Sequence, residues 1–161
     1  MNITKTAFAG CLSLIAAATV AGNASAADGY LPGAACQPVD NTTVFIYHEQ
    51  GEVYNNSSGY DRRLTCPLPH GATGQDDFQV QVSVWDGNPS LAVECTAQAR
   101  NFGGPTLVGW SSDASVGTGR QTLTMTVYTT DPSAYHHVLC TVPRIGSSGA
   151  SYLTALYYNE L

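Results

Sequence analysis

Four histidines, two short acidic groups and a few aromatics set on polar strand faces are the side chains here that could do chemistry. His136 and His137 are adjacent in a segment of strand character, so they project to opposite faces and cannot share one ordinary site. His48 and His70 stand alone in the sequence and could join them only through the fold. Asp76 with Asp77, and Asp86 with Asn88, offer oxygen ligands, but calcium takes about six to eight of them. The two groups flank one strand, which holds them roughly 26 Å apart. Turn formation and strand capping are the roles this spacing supports, and neither a metal nor a cofactor is expected.

The aromatics read differently. Trp85 takes the polar parity of the strand that begins at Phe78, and Tyr128 takes the polar parity of the strand that begins at Leu123. Exposed planar rings next to Asp86 and Asn88 would suit stacking on sugar rings, with hydrogen bonds to their hydroxyls. Trp85, Tyr128, Asp86 and Asn88 are therefore the candidate ligand-binding set, with packing in the core or under loops as the competing role. Trp110, between Gly109 and Ser111, is expected in the core. No Gly-x-Ser-x-Gly elbow, His-Glu-x-x-His pair, Gly-x-Gly-x-x-Gly turn or phosphate loop occurs, so no catalytic residue is assigned and the chain is not read as an enzyme.

These side chains must be positioned by strands. In Phe78-Gln79-Val80-Gln81-Val82-Ser83-Val84 the apolar residues fall on one face and the polar ones on the other, which is the pattern of a strand with one wet side. Leu91, Val93 and Cys95 repeat it, as do Leu123, Met125 and Val127. Shorter strand candidates are Thr43 to His48, Leu64 to Cys66, Thr106 to Trp110, Tyr135 to Val142 and Tyr152 to Asn159, separated by turn-rich segments such as Asn55 to Gly59 and Asn101 to Pro105. The expectation is an all-β, two-layer antiparallel sandwich of about seven to nine strands, with Greek-key connectivity the base-rate guess and a small barrel the competitor.

Residues 1–26 carry Lys5, an apolar run and the small-residue tripeptide Ala24-Ser25-Ala26, which reads as a secretory signal removed before Ala27. Cys11 would leave with it. Residues 27–161 then form one domain, with no further apolar segment long enough to span a membrane. Four cysteines remain, Cys36, Cys66, Cys95 and Cys140, and in an oxidising compartment they read as two disulfides. A faint duplication sets Cys66 and Pro69 against Cys140 and Pro143, which favours Cys36–Cys66 and Cys95–Cys140 among the three pairings.

The formal net charge of −6 opposes nucleic acid as a ligand. Signal, disulfides and the lack of an active-site pattern together indicate a noncatalytic protein of the periplasm, cell surface or medium, with a structural, adhesive or assembly role. The alternative is a carbohydrate or small-ligand binding module that uses Trp85 and Tyr128, and a secreted hydrolase or its inhibitor ranks below both. A glycan or a protein is the partner class, and the segment Tyr152 to Leu161 could add to a second copy if it formed an open edge. The alanine-rich leader favours a bacterial source.

Overall fold

The structure, a computed structural model, describes residues 29–39, 45–47, 50–69, 77–129, 131 and 133–161. The expected signal at 1–26, Cys11, His48, His70 and Asp76 lie outside these residues. Eleven strands occur among the described residues: β1 (Gly29–Pro32), β2 (Gln37–Pro38), β3 (Phe45–Tyr47), β4 (Val53–Asn55), β5 (Arg62–Pro67), β6 (Phe78–Asp86), β7 (Glu94–Asn101), β8 (Leu107–Ala114), β9 (Gly119–Val127), β10 (Ala134–Val142) and β11 (Tyr152–Glu160). The expected seven to nine is thus an undercount. The difference lies in short pieces before β5, whose two to four residues are too few to show alternation.

Two antiparallel sheets form a sandwich. Sheet A has the order β3-β4-β11-β6-β9, with β1 also paired to β11, and sheet B has the order β2-β5-β10-β7-β8. The inner faces follow from the period-two patterns. Phe78, Val80, Val82 and Val84 of β6, Leu123, Met125 and Val127 of β9, and Leu153, Leu156 and Tyr158 of β11 meet Ala97 and Ala99 of β7 and Val138 and Val142 of β10. Each of these apolar side chains contributes on the order of 1.5–3 kcal/mol by leaving water, the alanines less.

The sulfurs pair Cys36 with Cys66 and Cys95 with Cys140. Both bridges lie within sheet B, where Cys140 faces Cys95 directly across the β10–β7 ladder, so they staple neighbouring strands and not the two layers. β5 and β10, which carry Cys66 and Cys140, are antiparallel neighbours in sheet B, with Cys66 opposite Val138 and Cys140 opposite Leu64.

The segment Tyr152–Glu160 does not supply an open edge. β11 is bonded to β6 along one side and to β4 and then β1 along the other, so strand addition to a second copy at this segment is corrected. Its rich apolar content is what a central strand needs, because both of its edges are consumed by the sheet. At the other flank, β8 and β9 are edge strands of different sheets, and the Thr124 amide donates to Asp113 Oδ2 at 2.8 Å across the seam. An edge amide satisfied by a side chain is unavailable to another chain.

One buried polar chain crosses the core. The Tyr158 hydroxyl donates to Glu160 Oε1 at 2.9 Å, so its 3.0 Å contact with His136 Nδ1 requires that nitrogen to be the donor. His136 also stacks on Phe78, with centroids 4.1 Å apart. Burial, then the hydrogen bond to Glu160 and its charge, raise the Tyr158 pKa above its ordinary value. All three side chains are buried.

Candidate functional site

The outer face of sheet A gathers the exposed aromatics. Phe78, Val80, Val82 and Val84 turn inward, so Gln79, Gln81, Ser83 and Trp85 must turn outward, and the β6 ladders run without a bulge through Trp85 on the β9 side. In register across the sheet stand Tyr54 of β4, Tyr152 of β11, Trp85 of β6 and Arg120 of β9. Directly paired residues project to the same face, with side chains about 5 Å apart. The Tyr54 and Tyr152 rings are 5.0 Å apart at their centroids, and Trp85 is 48% exposed.

A register shift between Leu153 and Ala155 adds Thr154 to this face, where its hydroxyl donates to the Ser83 carbonyl at 3.0 Å. The bulge opens a depression of about 280 Å³ lined by Glu52, Trp85, Arg120, Tyr152 and Thr154. Arg120 makes no ion pair among the described residues. One aromatic wall, one cation, one carboxylate and one hydroxyl therefore converge on a single open hollow.

Four residues along β6, the row Tyr30–Tyr157–Gln81–Thr124 repeats the motif, with the two tyrosine rings 6.4 Å apart. Between the rows the floor consists of Ser83, Thr122 and Ala155, all small. The two aromatic groups thus stand about 13 Å apart along the strands, with a low polar floor between them.

Of the residues singled out from sequence, only Trp85 lies at this site. Tyr128 is exposed on the same face but follows β9 at the end opposite Arg120, roughly 26 Å from it along the strand, so the expected Trp85–Tyr128 grouping is corrected. Asp86 and Asn88 are corrected too. Asp86 continues the inward parity of Val84 and is buried. It accepts hydrogen bonds from the Asn88 amide, Ser151 Oγ, Ser115 Oγ and, more weakly, the Val93 amide. Asn88 spends its side chain on the Ser90 and Leu91 amides and the Arg144 carbonyl. Both fasten loops at one end of the sandwich, with the Asp86 carboxylate and the Asn88 side-chain oxygen each engaged by at least two donors. Tyr152, Tyr54 and Arg120 are the site residues that sequence parity did not reveal. Among the described residues, no group of three or more His, Cys, Asp or Glu could hold a metal.

Gly87 sits beside this knot. A Cβ there would lie 2.3 Å from the Ala150 carbonyl oxygen and 2.9 Å from its carbon, both backbone atoms that cannot turn aside. Gly87→Ala is expected to cost about 1–3 kcal/mol through forced loop displacement, read as a lowered denaturant midpoint at unchanged slope. An unaltered midpoint would show that the loops yield freely.

Trp110 is also corrected. It is 63% exposed on the outer face of sheet B, where it pairs with Gln98 between the inward Ala97 and Ala99, and a register shift between Ala99 and Arg100 lets Val108 pack against the core although it has the same parity as Trp110. On this second face Trp110 pairs with Gln98, Gln98 with His137, and Arg100 with both Leu107 and Tyr135. Burial, then the nearby Arg100 charge, lower the His137 pKa from its ordinary value.

No protein-family model matches the sequence, and no curated protein matches it. Several solved structures align with the chain at low identity. The endo-1,4-β-D-xylanase 10B of Clostridium thermocellum, its CBM22-1 and GH10 modules complexed with xylohexaose, aligns at a TM-score of 0.51 and 11% identity, covering 86% of this chain and 28% of that one. The carbohydrate-binding module CsCBM6-3 of Clostridium stercorarium with cellobiose aligns at 0.49 and 13% identity, covering 83% and 94%. An arabinose-bound α-L-arabinofuranosidase, MgGH51, aligns at 0.49 and 14% identity, covering 79% and 23%. The chain thus spans about a quarter of the length of the two enzymes and nearly all of the separate module. At 11% identity the similarity to the xylanase fragment bears on the fold alone.

Proposed function

We propose that this domain is a noncatalytic, extracytoplasmic carbohydrate-binding module whose sheet A outer face holds a segment of a glycan chain. The observation that carries the reading is the row Tyr54–Tyr152–Trp85–Arg120, in which an exposed indole stands beside a tyrosine, a cation and the Glu52 carboxylate in one hollow. A pyranose ring presents an apolar face of C–H groups to an aromatic ring and a rim of hydroxyls to polar partners. Arginine and glutamate together can donate to and accept from neighbouring hydroxyls, and hydrogen bonds to charged groups contribute about 1.5–3 kcal/mol each. The second aromatic pair, Tyr30 and Tyr157, about 13 Å further along, gives a chain of sugars a second resting point.

The fold supports the reading, since the xylanase fragment that shares the sandwich was solved with xylohexaose. The two disulfides support an oxidising location. A purely structural or adhesive role, expected first from the sequence, gives no reason to expose Trp85 in a hollow that also holds Arg120 and Glu52.

Calorimetric titration with xylohexaose and cellohexaose tests this. Trp85→Ala, an exposed position, is expected to weaken binding by roughly thirtyfold or more, as removal of a central aromatic anchor does. Its far-ultraviolet circular dichroism should match that of the parent protein. Equal affinity of parent and variant, or no heat from any neutral oligosaccharide, would sink the proposal.

A further inference from the structure

The outer face of sheet B carries a second exposed aromatic group that the glycan hollow does not use. Two rows cross it: Trp110–Gln98–His137–Pro67, and Leu107–Arg100–Tyr135. Trp110 is 63% and Tyr135 is 42% exposed, and the Tyr135 and His137 rings stack with centroids 5.6 Å apart at an angle of 22°. Along the backbone, two strand spacings and one side-chain repeat place Trp110 and Tyr135 about 12 Å apart.

Between them lies Arg100, and its environment decides the ligand. Its Nε and one Nη donate to Gln98 Oε1 at 3.1 and 3.0 Å, and the other Nη donates to the Pro105 carbonyl at 2.8 Å. These partners are uncharged oxygens that fix the guanidinium plane and leave donors over. No carboxylate pairs with it among the described residues, although the chain as a whole has a formal charge of −6. The residues that share its two rows, Leu107, Tyr135, Trp110, Gln98, His137 and Pro67, include no acid. A fixed, uncompensated guanidinium is suited to bidentate recognition of a carboxylate.

We infer that the Trp110–Arg100–Tyr135 face is a second binding surface, for a chain of acidic sugars such as uronates. A uronate residue supplies both features at once, a pyranose face for Trp110 or Tyr135 and a carboxylate for Arg100. Two exposed rings two strands apart on one sheet face fit an extended polysaccharide better than a small molecule. With the hollow on sheet A, it would let one domain bridge two chains on opposite faces. This inference does not depend on the reading of the Trp85 hollow, because the two faces share no residue.

The chain holds two tryptophans, one on each outer face, and this supplies the test. Trp85→Phe leaves Trp110 as the sole indole reporter of sheet B, and Trp110→Phe leaves Trp85 as that of sheet A. Titration with a linear oligogalacturonate is expected to change the emission of the Trp85→Phe protein saturably, with affinity falling as salt rises. In the Trp85→Phe background, Arg100→Gln should weaken that response about tenfold. The emission of the Trp110→Phe protein should stay unchanged over the same concentrations. An absent response from Trp110, or one undiminished by Arg100→Gln, overturns the inference. So does a dimer in sedimentation velocity that Trp110→Ala dissolves, since the face would then belong to a second copy. Failure of xylohexaose binding at Trp85 would count only against the sheet A reading.

Discussion

Asp86→Ala is expected to lower the stability of the domain by about 3–5 kcal/mol, the largest loss from any single substitution considered for this protein. The carboxylate is buried between three loops and receives the Asn88 amide at 2.9 Å and Ser151 Oγ at 2.9 Å on one oxygen. Ser115 Oγ and the Val93 amide meet the other. Two of its donors are themselves relays: Ser151 Oγ accepts from the Gly87 amide at 3.1 Å, and Ser115 Oγ accepts from the Val93 amide at 2.8 Å. Deleting the acid strands several buried donors, and each unsatisfied buried group costs about 1–3 kcal/mol. The loops so freed join β6 to β7, β8 to β9, and β10 to β11. For a domain of this size the loss corresponds to a fall in Tm of roughly 10–20 °C. Asp86→Asn, which keeps one acceptor oxygen, should fall between parent and alanine variant. A thermal melt of Asp86→Ala within a few degrees of the parent would show that the knot contributes little.

Removing the disulfides has a comparable effect by a different route. The bridges close loops with sequence separations of 30 and 45 residues, and in the chain-entropy account each restricts the unfolded chain by about 4 kcal/mol. Loss of both approaches the whole stability of an ordinary domain, about 5–15 kcal/mol. Guanidinium unfolding with and without dithiothreitol measures it, and the reduced chain is expected to be largely unfolded or to melt at a much lower denaturant concentration. Cys95→Ala with Cys140→Ala should give roughly half of that loss, plus a cavity contribution in the core. A reduced protein that unfolds at the same midpoint would refute the account and remove the main physical reason to place this chain in an oxidising compartment.

Much of the sandwich was legible because alternation is local. Phe78 through Val84, and Leu123 through Val127, declare their inner faces within a single strand, and Trp85 on the outer side follows by parity. The same parity placed Asp86 inside, yet an acid next to a glycine reads as a turn until the three loops that feed it are known. The hollow was not legible. Its row depends on β11 lying between β4 and β6, a pairing of segments about seventy to a hundred residues apart that no window of sequence contains. Trp110 was misplaced for a related reason. A bulge shifts the inward position on β8 to Val108, and a one-residue slip exchanges the two faces of a strand.

Sheet B and sheet A are finished at different points along the chain. All strands of sheet B, and both sulfur pairs, lie within residues 36–142. Sheet A remains split, with β4 and β1 on one side and β6 and β9 on the other, until residues 152–160 arrive to fill the gap. The strands and both sulfur pairs of one layer are therefore all present in a chain that ends at residue 142, while the other layer is still a cleft. The hollow around Trp85, which takes its second ring from Tyr152, comes into being only when that cleft closes.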